Sequence, residues 1–99
     1  MIRYLKVAKN NISTEFCDED IFEDVVCEEV GYNFGSRTCI NNNYIIIEDN
    51  CLEEEPFEIN KNFYEKGILF GKCFITRRNY ESLTEEDIEY LLNEVRIDK

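Results

Sequence analysis

Carboxylates are the side chains this sequence supplies in the numbers and spacing to do chemistry. Asp18-Glu19-Asp20 sets side-chain oxygens two residues apart, as at the start of a Ca²⁺-binding loop. Such a loop next requires an oxygen ligand at 22 and glycine at 23, where this chain has Phe22 and Glu23, so no metal site is expected. On a helix, Glu19 and Glu23 form a pair four residues apart, as do Asp20 and Asp24. That interval rises about 6 Å, comparable with successive phosphates along one nucleic-acid strand. Carboxylates at that pitch can occupy a basic channel and steer association electrostatically. Glycoside hydrolysis asks something different of an acid pair, namely one carboxyl in an apolar pocket with a raised pKa. The acids here lie in polar clusters that read as exposed, none is marked as buried, and no enzyme activity is expected.

The other reactive types are few. Arg77-Arg78 is the only basic doublet, between the last strand and the last helix. It reads as a solvated turn paired with Glu81 or Glu85. Alternatively it binds phosphate bidentately, with Tyr32, Phe34 and Tyr80 stacking on a nucleotide base. Phe70-Gly71-Lys72 is no phosphate loop, because the second glycine and the Ser or Thr after lysine are missing. The cysteines (Cys17, Cys27, Cys39, Cys51 and Cys73) are odd in number, form no C-x-x-C pair and have no histidine beside them. That disfavours a zinc site, a disulfide framework and an activated thiol alike. They read as reduced, partly buried thiols, and no cofactor is implied.

Charge sets the broad class. Asp and Glu number 22 against 11 Lys and Arg, for a formal net charge of −11. The acids fall in three blocks, Glu15–Glu29, Glu48–Glu58 and Glu81–Glu89. Such a chain favours a basic partner and argues against direct contact with nucleic acid. Its 99 residues make one domain, 1–99, and 43% apolar residues with seven Phe and six Tyr are those of a folded protein. Abundant Ile, Asn, Lys, Tyr and Phe, all with AT-rich codons, point to a low-GC bacterial, viral or plasmid genome. Met1–Ala8 lacks the form of a signal peptide and no run reaches the ~20 apolar residues of a membrane span, so a cytoplasmic protein is expected.

The elements that must position these groups follow from periodicity. Ile2–Ala8 reads as a strand closed by Asn10 and Asn11. Asp18–Val30 reads as a helix with Ile21, Phe22, Val25, Val26 and Val30 on one face, acids in its first turn and Gly31 as C-cap. Arg37–Ile40 and Tyr44–Glu48 form a hairpin about Asn41-Asn42-Asn43, and the run of Tyr44 with three isoleucines predicts burial on both faces. Asp49–Glu58 is acidic and irregular, and Asn60–Lys66 is a helical turn stopped by Gly67. Ile68–Thr76 reads as one strand with Gly71 at a bulge or a close backbone contact. Thr84 caps a last helix through a box with Asp87, with Leu83 and Ile88 as staple and Ile88, Leu91, Leu92 and Val95 as apolar stripe. Arg96 and Lys99 suit its C-terminal end. The expected class is α+β, a single small domain with a mostly antiparallel sheet of three to five strands and two helices packed on it.

An apolar strand with an internal glycine (Ile68 to Ile75) precedes a short polar stretch and a helix opening with Ser82-Leu83-Thr84-Glu85-Glu86-Asp87-Ile88. In this the final third, from about Gly67 to Glu94, resembles a family of small phage and plasmid domains of unknown function. The Ile2–Val7 strand is compatible with it, while Phe16–Glu58 lies outside it. The resemblance implies a mobile-element accessory protein and supplies no catalytic residues.

The combined expectation is a non-enzymatic acidic binding protein of phage or mobile-element type. It would inhibit or modulate a host factor, such as a defence nuclease, by covering a basic nucleic-acid-binding surface. Glu19, Asp20, Glu23, Asp24, Glu53, Glu54 and Glu55 would make the contacts. Two alternatives stay open. One is a nucleotide sponge acting as a homo-oligomer through Arg77, Arg78, Tyr32, Phe34 and Tyr80, and the other is a structural assembly subunit.

Overall fold

A computed structural model of the chain describes residues 1–9, 11–30, 37–49 and 55–95, with the side chains at 27, 29 and 30 left aside. Strands β1 (Ile2–Ala8) and β2 (Asn11–Cys17) pair antiparallel, with Ala8 opposite Asn11. Asn11 therefore begins a strand rather than closing a turn, and residues 11–17, given no element by the sequence reading, form a sheet edge. The signal there is weak: Ile12, Thr14 and Phe16 alternate with polar residues on a strand that has only one neighbour.

A 3₁₀ turn, Glu19–Ile21, leads into helix α1 (Phe22–Val30). The expected C-cap at Gly31 lies outside the described residues. Strands β3 (Arg37–Ile40) and β4 (Tyr44–Glu48) form the expected hairpin, with positive φ at Asn41 (52°) and Asn42 (60°). Asparagine tolerates that left-handed region, which the primed turns need at both central positions.

The run Ile68–Thr76 is two strands, not one. β6 (Ile68–Phe70) pairs with β5 (Pro56–Glu58), inside the stretch expected to be irregular, and makes a separate small sheet. β7 (Cys73–Arg77) belongs to the large sheet. Gly71 separates them with φ of 85°, and a Cβ there would stand 2.5 Å from the Asp49 carboxylate. The expected close contact is real, but the glycine ends a strand and redirects the chain instead of bulging it.

Within the large sheet the order is β2-β1-β7-β4-β3, every pair antiparallel. β7 thus lies between the two hairpins β1–β2 and β3–β4, and Cys73, Phe74, Ile75 and Thr76 are all fully buried. Side chains alternate along the strands to feed two cores. On one face Ile2, Tyr4, Ile47 and Phe74 meet Phe22 and Val26 of α1. On the other Leu5, Val7, Tyr44, Ile46 and Ile75 meet helix α2 (Glu85–Val95) through Leu91 and Val95, together with Phe57 and Leu69 of the small sheet and Ile59, Phe63 and Tyr64 from the connection between its two strands. The two helices therefore cover opposite faces of one antiparallel sheet.

Both ends of α2 are tied down. Thr84 N–H donates to Asp87 Oδ2 (2.8 Å) and Asp87 N–H to Thr84 Oγ1 (3.1 Å), which completes the expected capping box. The Leu83 N–H donates to Arg3 O (2.9 Å), fixing the start of the helix on β1. At the far end Asn60 gives its backbone N–H to Val95 O (3.0 Å) and its side-chain amide to Glu94 O (2.8 Å), filling carbonyls that a helix end leaves open. Arg96 and Lys99, expected to serve that end, lie outside the described residues.

Candidate functional site

α1 is held by its apolar stripe and leaves its acids to solvent. Phe22, 2% exposed, sits edge-on to Tyr4 (ring centroids 5.3 Å) and tilted against Tyr80 (5.9 Å). With Val26 also buried, the helix turns Glu23 and Asp24 outward; Glu19 and Asp20, expected on a helix starting at Asp18, lie on the 3₁₀ turn before it and are exposed, as are Asp18 and Glu28. Among the described residues, none of these four carboxylates makes a hydrogen bond or ion pair. Asp18 stands at the N-cap position with no side-chain capping bond, so the acids here do not brace the helix by hydrogen bonding. The remaining predicted contacts do not join them. Glu55 is exposed but paired with Lys9, whose ammonium lowers its pKa, at the end of the β1–β2 hairpin opposite the one from which the chain enters α1. Glu53 and Glu54 lie outside the described residues.

Two acids are buried, against the expectation that none would be. Asp87, 7% exposed, accepts from Tyr44 OH (2.7 Å) on Oδ1 and from Arg77 Nη1 (2.9 Å) and Thr84 N–H (2.8 Å) on Oδ2. Burial alone would raise its pKa. The Thr84 backbone bond, the Tyr44 and Thr84 hydroxyls and the Arg77 charge outweigh it and hold the carboxyl below its ordinary value. Burial, then the Asp87 charge and hydrogen bond, push the Tyr44 phenol up to about 12. Glu48, 1% exposed, lies 3.5 Å from Lys66 Nζ through both oxygens and accepts from the Tyr64 hydroxyl. Burial, with Glu48 adding to it, raises Tyr64 to about 12. A carboxylate kept ionised by three donors is the reverse of a general acid.

The residues of the nucleotide alternative are divided. Arg77 is committed to Asp87 on the α2 side of the sheet, not to Glu81 or Glu85 as expected. Arg78 is exposed and reaches Asn42 O at 3.4 Å. Tyr80 packs on the α1 side, its ring against Phe22 and under the Arg37 guanidinium (5.9 Å). Asn79 and Tyr80 both take positive φ (62° and 59°), which is how the chain crosses from one face to the other. Tyr32 and Phe34 lie outside the described residues.

Of the cysteines, Cys17 and Cys73 are buried and unpaired, and Cys39 is exposed and unpaired. Burial pushes both buried thiols up, with Asp18 adding to the first and Glu48 to the second, so neither is a ready nucleophile. The side chain of Cys27 and all of Cys51 fall outside the description. Among the described residues no group of His, Cys, Asp or Glu has the arrangement of a metal site, and no helix is long and apolar enough to cross a membrane.

Among the described residues, two clefts open on the α2 side. One, about 510 Å³, lies between β3 and the Phe63–Lys66 turn and contains Cys39. The other, about 460 Å³, is lined by Asn41, Asn43, Tyr44, Glu86, Asp87 and Tyr90. Sequence reasoning missed both, because Tyr44 and Tyr90 come from a hairpin and a helix with no local signal linking them. No protein-family model matches the chain, and comparison with curated proteins and with solved structures returns no match either. The resemblance of residues 67–94 rests on the sequence alone.

Proposed function

We propose that this is a non-enzymatic acidic binding protein of phage or mobile-element type, acting in the host cytoplasm by covering a basic, nucleic-acid-binding surface of a host factor. One observation carries the reading. Glu19 and Asp20 on the 3₁₀ turn and Glu23 and Asp24 at the start of α1 are all exposed to solvent, with no cation or donor on any of them among the described residues. Acids that served the fold would be placed as Asp87 is, within reach of donors. Like charges at four-residue spacing cost helix stability by a few tenths of a kcal/mol per pair, so their clustering is better matched to an external cation than to the helix itself. Neither metal nor cofactor enters this reading, and the chain itself does not touch nucleic acid.

The test compares the wild-type chain with the quadruple variant Glu19→Gln, Asp20→Asn, Glu23→Gln, Asp24→Asn as baits in a bacterial lysate. The expected result is a basic nucleic-acid-binding protein retained at low salt by the wild type, eluted by high salt or by competing nucleic acid, and absent from the variant. Equal retention by both baits, or recovery of the chain alone, would overturn the reading.

A further inference from the structure

We propose that the cleft between the Asn41–Asn43 turn and α2 binds a guanidinium group, supplied by an arginine side chain of a protein partner. This deepens the reading of a basic partner and rests on it for the partner's charge, but uses residues on the opposite face of the sheet from α1. The lining residues include two carboxylates and no cation. They differ in what they have left to offer. Asp87 has both oxygens occupied by Tyr44, Arg77 and Thr84 and its charge balanced by Arg77, so the open acceptor is Glu86. Glu86 is exposed and, among the described residues, makes no hydrogen bond or ion pair.

Tyr90 lies one helical turn beyond Glu86 on the same side of α2, so ring and carboxylate adjoin. One face of its ring stacks on Tyr44 (centroids 5.7 Å, planes 16° apart) and its hydroxyl accepts from Asn41 Nδ2 (3.1 Å). The ring is thereby fixed in place, yet Tyr90 remains 38% exposed, an aromatic that the core does not need. Tyr44 is fixed in turn by Asp87. Asn43, exposed in the turn, lines the cleft and carries a side-chain amide.

A fixed aromatic face beside an open carboxylate and an amide acceptor matches a planar cation with several donors. Guanidinium stacks on a tyrosine face while its edge reaches the carboxylate. An ammonium is a compact, strongly hydrated point charge that cannot do both in the same way. The surrounding net charge of −11 favours a cation over a neutral ligand of similar size.

The experiment titrates the isotope-labelled chain with N-acetyl-arginine methylamide, N-acetyl-lysine methylamide and free L-arginine, followed by NMR. Saturable shifts are expected at Asn43, Glu86 and Tyr90, with the arginine amide at least about tenfold tighter than the lysine amide. Glu86→Gln and Tyr90→Ala, both at exposed positions, should each weaken it by about tenfold, whereas Glu89→Gln and the quadruple α1 variant should not. Shifts confined to α1, an equal lysine response, or loss in the α1 variant would sink the cleft assignment. Tighter binding of free L-arginine than of the blocked amide would overturn the assignment to a protein partner. The bait experiment can fail without affecting this one, because no lysate protein is involved.

Discussion

Both helices begin with acidic residues, yet α1 and α2 use them in opposite ways on opposite faces of one sheet. In α2 the third acid of the first turn, Asp87, is folded inward and ties four parts of the chain together: the cap at Thr84, β4 through Tyr44, β7 through Arg77 and its own helix. In α1 the acids point outward, no side chain caps the preceding turn, and Phe22 and Val26 provide the attachment. The difference teaches that a carboxylate's role depends on which donors reach it: for Asp87 these are the local cap at Thr84 and side chains from two strands, and for the acids leading into α1 there are none among the described residues. A buried acid with three donors specifies packing. Exposed acids without donors leave their charge available to a partner.

The largest expected effect sharpens the α1 half of this contrast. Phe22→Ala should cost about 3–5 kcal/mol, the range for deleting a buried aromatic, read as a drop in urea midpoint with loss of the near-ultraviolet tyrosine signal. A cost below about 1 kcal/mol would mean that polar contacts hold α1 after all. Asp87→Ala tests the other half. It strands the Tyr44 hydroxyl and the Thr84 N–H and removes the capping box, for about 3 kcal/mol combined by equilibrium unfolding.

The same carboxylate fixes a pH dependence. Asp87 has a folded pKa below that of the unfolded chain, about 3.9, so its stabilisation is full above that value and is lost as pH falls through the folded pKa. Unfolding midpoints of the wild type should therefore decline on acidification through that window, and Asp87→Asn should lack that part of the decline. An identical acid limb in both proteins would show that Asp87 is not held ionised by its donors. Thr84→Ala, which removes only the hydroxyl of the box, should cost about 1 kcal/mol. The smallest effect belongs to the exposed acids. Neutralising Glu19, Asp20, Glu23 and Asp24 together should change stability by under about 0.5 kcal/mol, since relief of repulsion offsets the lost first-turn charge. A loss of several kcal/mol would erase the contrast and give those acids a structural role.

Much of this was legible where the governing interactions are local. The strand Ile2–Ala8, the asparagine hairpin and the Thr84–Asp87 box depend on neighbours a few residues apart and appear where their patterns placed them, whereas the apolar stripes hold only in part: Phe22, Val26, Leu91 and Val95 are buried, but Ile21 and Leu92, expected in those stripes, are exposed. The acid spacing was legible only in part: Glu23 and Asp24 face water on α1, but Glu19 and Asp20, expected one α-helical turn before them, stand on a 3₁₀ turn. By contrast, β2 was hidden because an edge strand with a solvated face needs little apolar character. The split at Gly71 was hidden because the residues on both sides are apolar, and only the Asp49 side chain packed against the glycine shows where the chain turns.

The sequence by itself determined an acidic α+β domain, the identity of most of its elements and the outward face of α1. Tertiary structure decided which carboxylates are spent and which remain. Asp87 and Glu86 are adjacent in sequence and equally acidic, and locally only the capping box with Thr84 sets Asp87 apart. Tyr44 comes from 43 residues away and Arg77 from ten, and their arrival buries and saturates Asp87 while Glu86 stays open to the cleft. Pairing over such separations is settled by sheet order and helix docking, which place donors from distant strands beside one carboxylate and not beside its neighbour.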